Sequence, residues 1–255
     1  MNTITYNKSS AIQAWMSPCL VTKLVLTIVL CILILFVALA NVQIVNAQKQ
    51  SLPLILLHGY LENARVWDKW ERLLKQDRIT FFPVTFTTDD ECGSAASHAN
   101  DLQQIVQNIS HLTGSEKVNI VAHSKGGLDA RAYLSKGGDK VANLIMIGTP
   151  NAGVPIASLN SFCAPAVWDL RPGASVDDAP RNPNTKYYTI SGDWLPLTDG
   201  NLYIPGPDDG LVSISSVESK SYFNSLGRTN DNHLNMLGHQ EYALARDILM
   251  RTNQR

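Results

Sequence analysis

Three residue types, taken in chain order, could carry out one chemistry. Ser124 stands in "VNIVAHSKGGLDA" (118–130), Asp209 in "GPDDGLV" (206–212) and His233 in "TNDNHLNML" (229–237). A serine hydroxyl is a poor nucleophile until an imidazole removes its proton, and the imidazole keeps the required tautomer when a carboxylate takes its other N–H. The chemistry would be attack on a carbonyl carbon by way of an acyl-enzyme. Ser124 follows an apolar run and precedes a helix-forming stretch, which is the setting of a strained strand-to-helix turn. The residues two before and two after such a serine must be small, and here they are Ala122 and Gly126. Gly127 lets the helix approach the strand, and Ala122 departs from the pattern G-x-S-x-G by one methyl. A serine beside glycines can equally be a plain helix cap, so the partners decide.

Downstream of Ser124 the histidines are His233 and His239. His233 lies in a polar loop before the final helix and can reach over the serine, whereas His239 falls within that helix. Asp209 leads as the acid, with Asp208, Asp193 and Asp199 as rivals; an Asp-Gly pair also suits an ordinary turn. One oxyanion donor would be the amide of Lys125, at a helix start where amides lack intrahelical partners. The other is assigned to the amide of Tyr60 in "HGYLEN", where Gly59 lets the chain turn back. His58 is expected to orient that loop.

The elements that must position these residues alternate in type. "PLILLHG" from Pro53 reads as a buried strand, "ARVWDKWERLLKQ" from Ala64 as a helix, and "ITFFPVTF" from Ile79 as an extended segment whose Pro83 suggests an edge or an irregularity. "SAASHANDLQQIVQNISHLTG" from Ser94 keeps Leu102, Ile105, Val106 and Ile109 on one helical face, with Gly114 after its end. "KVNIVAH", "VANLIMIGTP" and "KYYTISGD" supply further strands. Strands alternating with helices predict an α/β fold with a mostly parallel sheet of about six strands, helices on both faces. Residues 151–185 form a long insertion, a candidate cap, whose Val154, Ile156, Leu159, Phe162, Val167 and Trp168 would either line an acyl pocket or pack the cap to the core.

The chain has 255 residues, 45% hydrophobic, enough for one compact domain, assigned to residues 48–255. A net charge of −1 gives no basic footprint for nucleic acid. Residues 1–47 differ in kind. Leu24 to Ala40 is uncharged and preceded by Lys8 and Lys23, the pattern of a membrane-inserting helix. It would be either a signal peptide cleaved after Ala40 or Ala47, or an uncleaved anchor that makes the membrane a partner through residues 24–40. Either way the remainder is expected outside the cytoplasmic membrane, secreted or anchored to its outer face. Export would permit a bridge between Cys92 and Cys163, which the sequence leaves open.

"LLHGY", "VNIVAHSKGG", "KVANLIMIGTPNAG", "DDGLV" and "NHL" resemble the corresponding segments of bacterial secreted lipases and related esterases of the alpha/beta-hydrolase superfamily, over about residues 52–252. The resemblance implies the alpha/beta-hydrolase fold and hydrolysis of lipid or other acyl esters, with Ser124 attacking, His233 moving the proton and Asp209 holding the imidazole. No cofactor is implied. The calcium of larger relatives is not carried over, because Asn235 stands where they have an aspartate. Lysine after the nucleophile is also a departure, but its amide and not its side chain would serve the oxyanion. Two other classes stay open: acyl transfer or amide hydrolysis by the same triad, and a surface-anchored binding module with a vestigial site.

Overall fold

The computed structural model describes residues 18–46, 51–86, 92–194, 204 and 206–251. Contacts divide the chain into two units, Met1–Lys49 and Gln50–Arg255. The first contains α1 (Pro18–Asn46). Side chains are described at residues 22, 23 and 25–37, and those of Val25 to Phe36 stand exposed. Among the described residues no helix is long and apolar enough to cross a membrane. The described side chains of α1 stop short of the expected Leu24 to Ala40 run, so the membrane helix is not shown. Lys8, the cleavage position Ala47 and the rival acid Asp199 lie outside the described residues.

Among the described residues the second unit has six strands: β1 (Leu54–Leu57), β2 (Phe81–Val84), β3 (Val118–His123), β4 (Val141–Ile147), β5 (Lys186–Gly192) and β6 (Phe223–Thr229). Their order is β2-β1-β3-β4-β5-β6, and every neighbouring pair is parallel. The helices are α2 (Asp68–Gln76), α3 (Ala95–Thr113), α4 (Lys125–Ser135), α5 (Ala164–Asp169), α6 (Ile214–Val217) and α7 (His239–Met250). Parallel strands need crossovers, and these place helices on both faces. Successive strand side chains point to opposite faces, so one strand serves two cores. Ile55, Leu57, Ile120 and Ala122 join Leu102 and Val106 of α3 and Leu128 of α4 in one core. Leu54, Leu56, Val121 and Ile145 join Trp70 and Leu74 of α2 and Ile248 and Leu249 of α7 in the other. This is why "LILL" is uniformly apolar and fully buried.

Pro83 sits on edge strand β2, where its missing N–H costs no ladder bond. Ser94 caps α3 by accepting from the Ser97 amide at 3.1 Å, and Gly114 ends that helix at φ +66°. The stretch from Ala64 differs from the single helix expected: Ala64–Trp67 is a 3-10 turn, capped by Asn63, and the α-helix begins at Asp68. The strand β6 has no counterpart in the sequence reading. In the insertion, Pro155–Leu159 forms a 3-10 turn and α5 follows. Cys92 and Cys163 are joined by a disulfide, their Cα atoms 4.9 Å apart, so the connection ahead of α3 is tied to the start of α5. The main chain adds a bond from Ala166 N to Cys92 O at 3.1 Å.

Candidate active site

The carboxyl ends of the strands bring the three chemical side chains together. Ser124 follows β3 immediately and has φ +50° and ψ −126°, a conformation that costs an L-residue about 1–3 kcal/mol. The neighbours compensate. Ser124 N donates to Ile147 O of β4 at 2.9 Å, and Gly127 N donates to Ser124 O at 3.1 Å. A Cβ at Gly126 would collide with the carbonyl oxygen of His58, and one at Gly127 with the Thr149 side chain. Glycine at these two positions therefore lets α4 start directly against β1 and β4.

Asp209 lies in the loop between β5 and α6, and His233 in the loop between β6 and α7. His233 N donates to Asp209 O at 2.8 Å, which locks the two loops to each other. Their side chains form a chain of hydrogen bonds: Asp209 Oδ2 to His233 Nδ1 at 2.7 Å, and His233 Nε2 to Ser124 Oγ at 2.9 Å. Asp209 Oδ1 accepts from the amides of Leu211 at 2.9 Å and Val212 at 2.7 Å. All three side chains are buried.

The rivals fall elsewhere. Asp208 turns its Oδ1 to the amide of Gly210 at 2.7 Å and so stabilises the turn. Asp193 follows β5, its amide bonded to Thr229 O. His239 is the first residue of α7 and is exposed. The Lys125 amide opens α4, where the N–H groups have no intrahelical acceptor. Tyr60 sits in the facing loop after β1, its hydroxyl donating to Phe162 O of the cap at 2.7 Å. Burial raises the pKa of that phenol. His58 is buried, its Nδ1 2.9 Å from Gly59 O.

A cavity of about 480 Å3 opens on Ser124 and His233. Its walls include Leu61, Val154, Ile156, Ala157, Val167, Leu170, Leu211, Val212 and Leu234. Of the six cap residues considered, Val154, Ile156 and Val167 line it, while Leu159, Phe162 and Trp168 are exposed and do not. Among the described residues no group of three or more His, Cys, Asp or Glu is placed to hold a metal ion.

Two arrangements beside Ser124, Asp209 and His233 were missed in the sequence. The Lys125 side chain is fully buried, with Nζ 2.6 Å from Asp129 Oδ1, and Asp129 Oδ2 is 2.9 Å from His98 Nδ1. Phe86 stacks on His98 with ring centroids 3.8 Å apart. Burial alone would raise the Asp129 carboxyl, but the Lys125 charge and the His98 hydrogen bond outweigh it and hold it below its ordinary value. The lysine side chain thus anchors α4 to α3 rather than standing idle; its signal in the sequence was the four-residue spacing from Asp129. The second arrangement pairs His123 with Glu62, at 2.9 Å.

A family model described as palmitoyl protein thioesterase matches residues 53–192, more than half of the chain. Two bacterial proteins named triacylglycerol lipase, from Pseudarthrobacter phenanthrenivorans and Burkholderia plantarii, are each 28% identical over 111 residues. Those matches cover 41% of this chain and about a third of the relatives' lengths, 35% and 31%. Among solved structures, the mature form of the Bacillus licheniformis lipase BlEst2 superposes with a TM-score of 0.66 at 21% identity, covering 79% of this chain and 93% of that one. Aspergillus fumigatus lipase B does so with 0.58 at 16% identity, covering 80% and 53%. At these identities the superpositions establish a shared fold.

Proposed function

Since the chain belongs to the palmitoyl protein thioesterase family, we propose that it is a serine hydrolase that cleaves acyl esters, thioesters included, through an acyl-enzyme on Ser124. The observation that carries this reading is the hydrogen-bonded chain Ser124, His233, Asp209, with the serine on a strained turn facing an apolar cavity. His233 Nε2 takes the serine proton as Oγ attacks the acyl carbon, then gives it to the leaving alcohol or thiol. Asp209 stabilises the imidazolium that forms. The amides of Lys125 and Tyr60 receive the oxyanion, where fixed donors stabilise the transition state more than the ground state. Water then repeats the sequence in reverse to free the acid.

The cavity is of ligand-binding size, about 300–1,000 Å3 being usual, and its aliphatic walls suit a hydrocarbon acyl chain. Hydrolysis, rather than transfer or amide cleavage, rests on the thioesterase family model and the triacylglycerol lipases the chain is similar to. Labelling of the purified full chain by a fluorophosphonate, and hydrolysis of a series of p-nitrophenyl esters and acyl thioesters of rising chain length, test the reading together. Labelling that survives Ser124→Ala, or no turnover of any ester or thioester, would refute it.

The proposal places the hydrolase outside the cytoplasmic membrane, released or tethered through residues 24–40. It is supported by the uncharged run within α1, by Lys8 and Lys23 ahead of it, and by the Cys92–Cys163 disulfide, which persists in oxidising compartments. A membrane-impermeant serine probe should label intact cells; labelling only after lysis would refute the topology.

A further inference from the structure

Three segments must hold their relative positions for Ser124 to react: the end of β3, the loop after β1 that carries Gly59 and Tyr60, and the loop that carries His233. One pair of side chains touches all three. His123, next to Ser124 and buried, directs Nδ1 to Glu62 Oε2 at 2.9 Å and Nε2 to the main-chain oxygen of His233 at 3.0 Å. Glu62 Oε2 also accepts from the amide of Gly59 at 2.7 Å, and the Glu62 amide lies 3.4 Å from Gly59 O. The carbonyl can only accept, and Glu62, held as a carboxylate, has no proton to give, so both ring nitrogens of His123 are called on to donate. That requires an imidazolium facing a carboxylate.

We infer that Glu62 and His123 are positioning residues, an ion pair that fixes the oxyanion loop and the His233 loop against the nucleophile turn without touching the reacting atoms. The inference rests on the triad reading above. The charges around the pair agree with it. Burial alone would lower the His123 pKa, but the Glu62 hydrogen bond and charge, the His233 carbonyl and the Asp209 charge outweigh it and raise it. Burial alone would raise the Glu62 carboxyl, but His123 and the Gly59 amide hold it below its ordinary value. The His233 ring lies 5.0 Å from that of His123, and Arg65, Asp68 and Lys69 line the cleft on the other side of Glu62. Glu62 and His123 both border the substrate cavity, so a loose pair would misplace donors directly at the acyl carbon. A shift of about 1 Å in such a group costs on the order of 100-fold in rate.

Glu62→Gln separates charge from shape. The amide oxygen can still accept from Gly59, but a neutral carboxamide no longer holds His123 protonated. As pH rises, His123 in the variant loses its proton and with it one of its two donated bonds, whereas the wild type keeps both to higher pH. The variant and the wild-type chain are compared for kcat and KM on one p-nitrophenyl ester from about pH 6 to 9, per site titrated to completion with a fluorophosphonate. The expected result is a 10- to 100-fold loss in kcat at the alkaline end, shrinking toward lower pH, with KM within about twofold. His123→Asn, which cannot reach the His233 carbonyl, should lose kcat to a similar extent with no such alkaline slope. Unchanged kcat in Glu62→Gln, a loss confined to KM, or a pH profile parallel to wild type would overturn the inference. Wild type that labels and turns over while these results fail sinks the positioning pair alone; wild type that does neither sinks the triad reading and this inference with it.

Discussion

Asp209 faces more donors than an amide could satisfy, and the consequence of Asp209→Asn can be worked out atom by atom. Oδ1 accepts from the Leu211 and Val212 amides, and Oδ2 from His233 Nδ1. The two main-chain donors belong to the turn itself and cannot move away, so an asparagine oxygen must occupy the Oδ1 position. Its NH2 group then faces His233 Nδ1, which has to accept. The ring proton moves to Nε2, opposite Ser124 Oγ, and the imidazole can no longer take the serine proton. A tautomer error of this kind lowers kcat by roughly 10^4, or about 5.5 kcal/mol of transition-state stabilisation. Asp208→Asn keeps an oxygen that can accept from the Gly210 amide and does not touch His233, so it should leave kcat within about threefold. Both variants are assayed on a p-nitrophenyl ester, with circular dichroism to verify folding. More than about a tenth of wild-type kcat in Asp209→Asn, or a larger loss in Asp208→Asn, would refute the assignment.

Ser124→Gly should abolish turnover while raising the melting temperature by roughly 2–4 °C, because glycine adopts φ +50° without strain; a lower melting temperature contradicts the strain argument. Reduction of the Cys92–Cys163 bond, which closes a 71-residue separation, should cost about 4 kcal/mol, read by denaturant unfolding with and without reductant; equal midpoints would count against it. Asp77 accepts from Arg246 at 2.6 Å and from Tyr242 at 2.7 Å, and its carboxyl sits below its ordinary value, chiefly through Arg246. Its depressed folded pKa adds stability that is present above the unfolded value near 3.9 and is lost as pH falls through the lower folded value. Asp77→Asn should therefore unfold earlier than wild type at neutral pH, with the difference shrinking as the pH falls below the unfolded value; a difference independent of pH would exclude the linkage.

Where the chain is buried on both sides, its pattern was readable. β1 is a continuous apolar run, and β3 and β4 are mostly apolar, because each feeds two cores; Ser124, Asp209 and His233 each stand at a strand end or in a loop beyond one. The strand β6 escaped notice for the opposite reason. It is an edge strand of sequence "FNSLGRT", half exposed, held by its ladder to β5 with only Phe223 and Leu226 packing on the cores, too few apolar positions to make a strand pattern. The disulfide depended on a distance between residues 71 apart, which no local pattern encodes.

Glu62 and His123 are separated by 61 residues, and neither belongs to a spacing that suggests a pair. What could have flagged them is topology. β1 and β3 are parallel neighbours with Leu57 opposite Ala122, so the residues just past their carboxyl ends emerge side by side. His123 emerges beside the "HGYLEN" loop, and Glu62 is the carboxylate of that loop. A buried histidine at a sheet's carboxyl edge needs partners for two ring nitrogens, and the loops that cross that edge are the ones that carry the chemistry. The residues that hold a site of this kind together can thus be sought by asking which strand ends are neighbours before asking which motifs they carry.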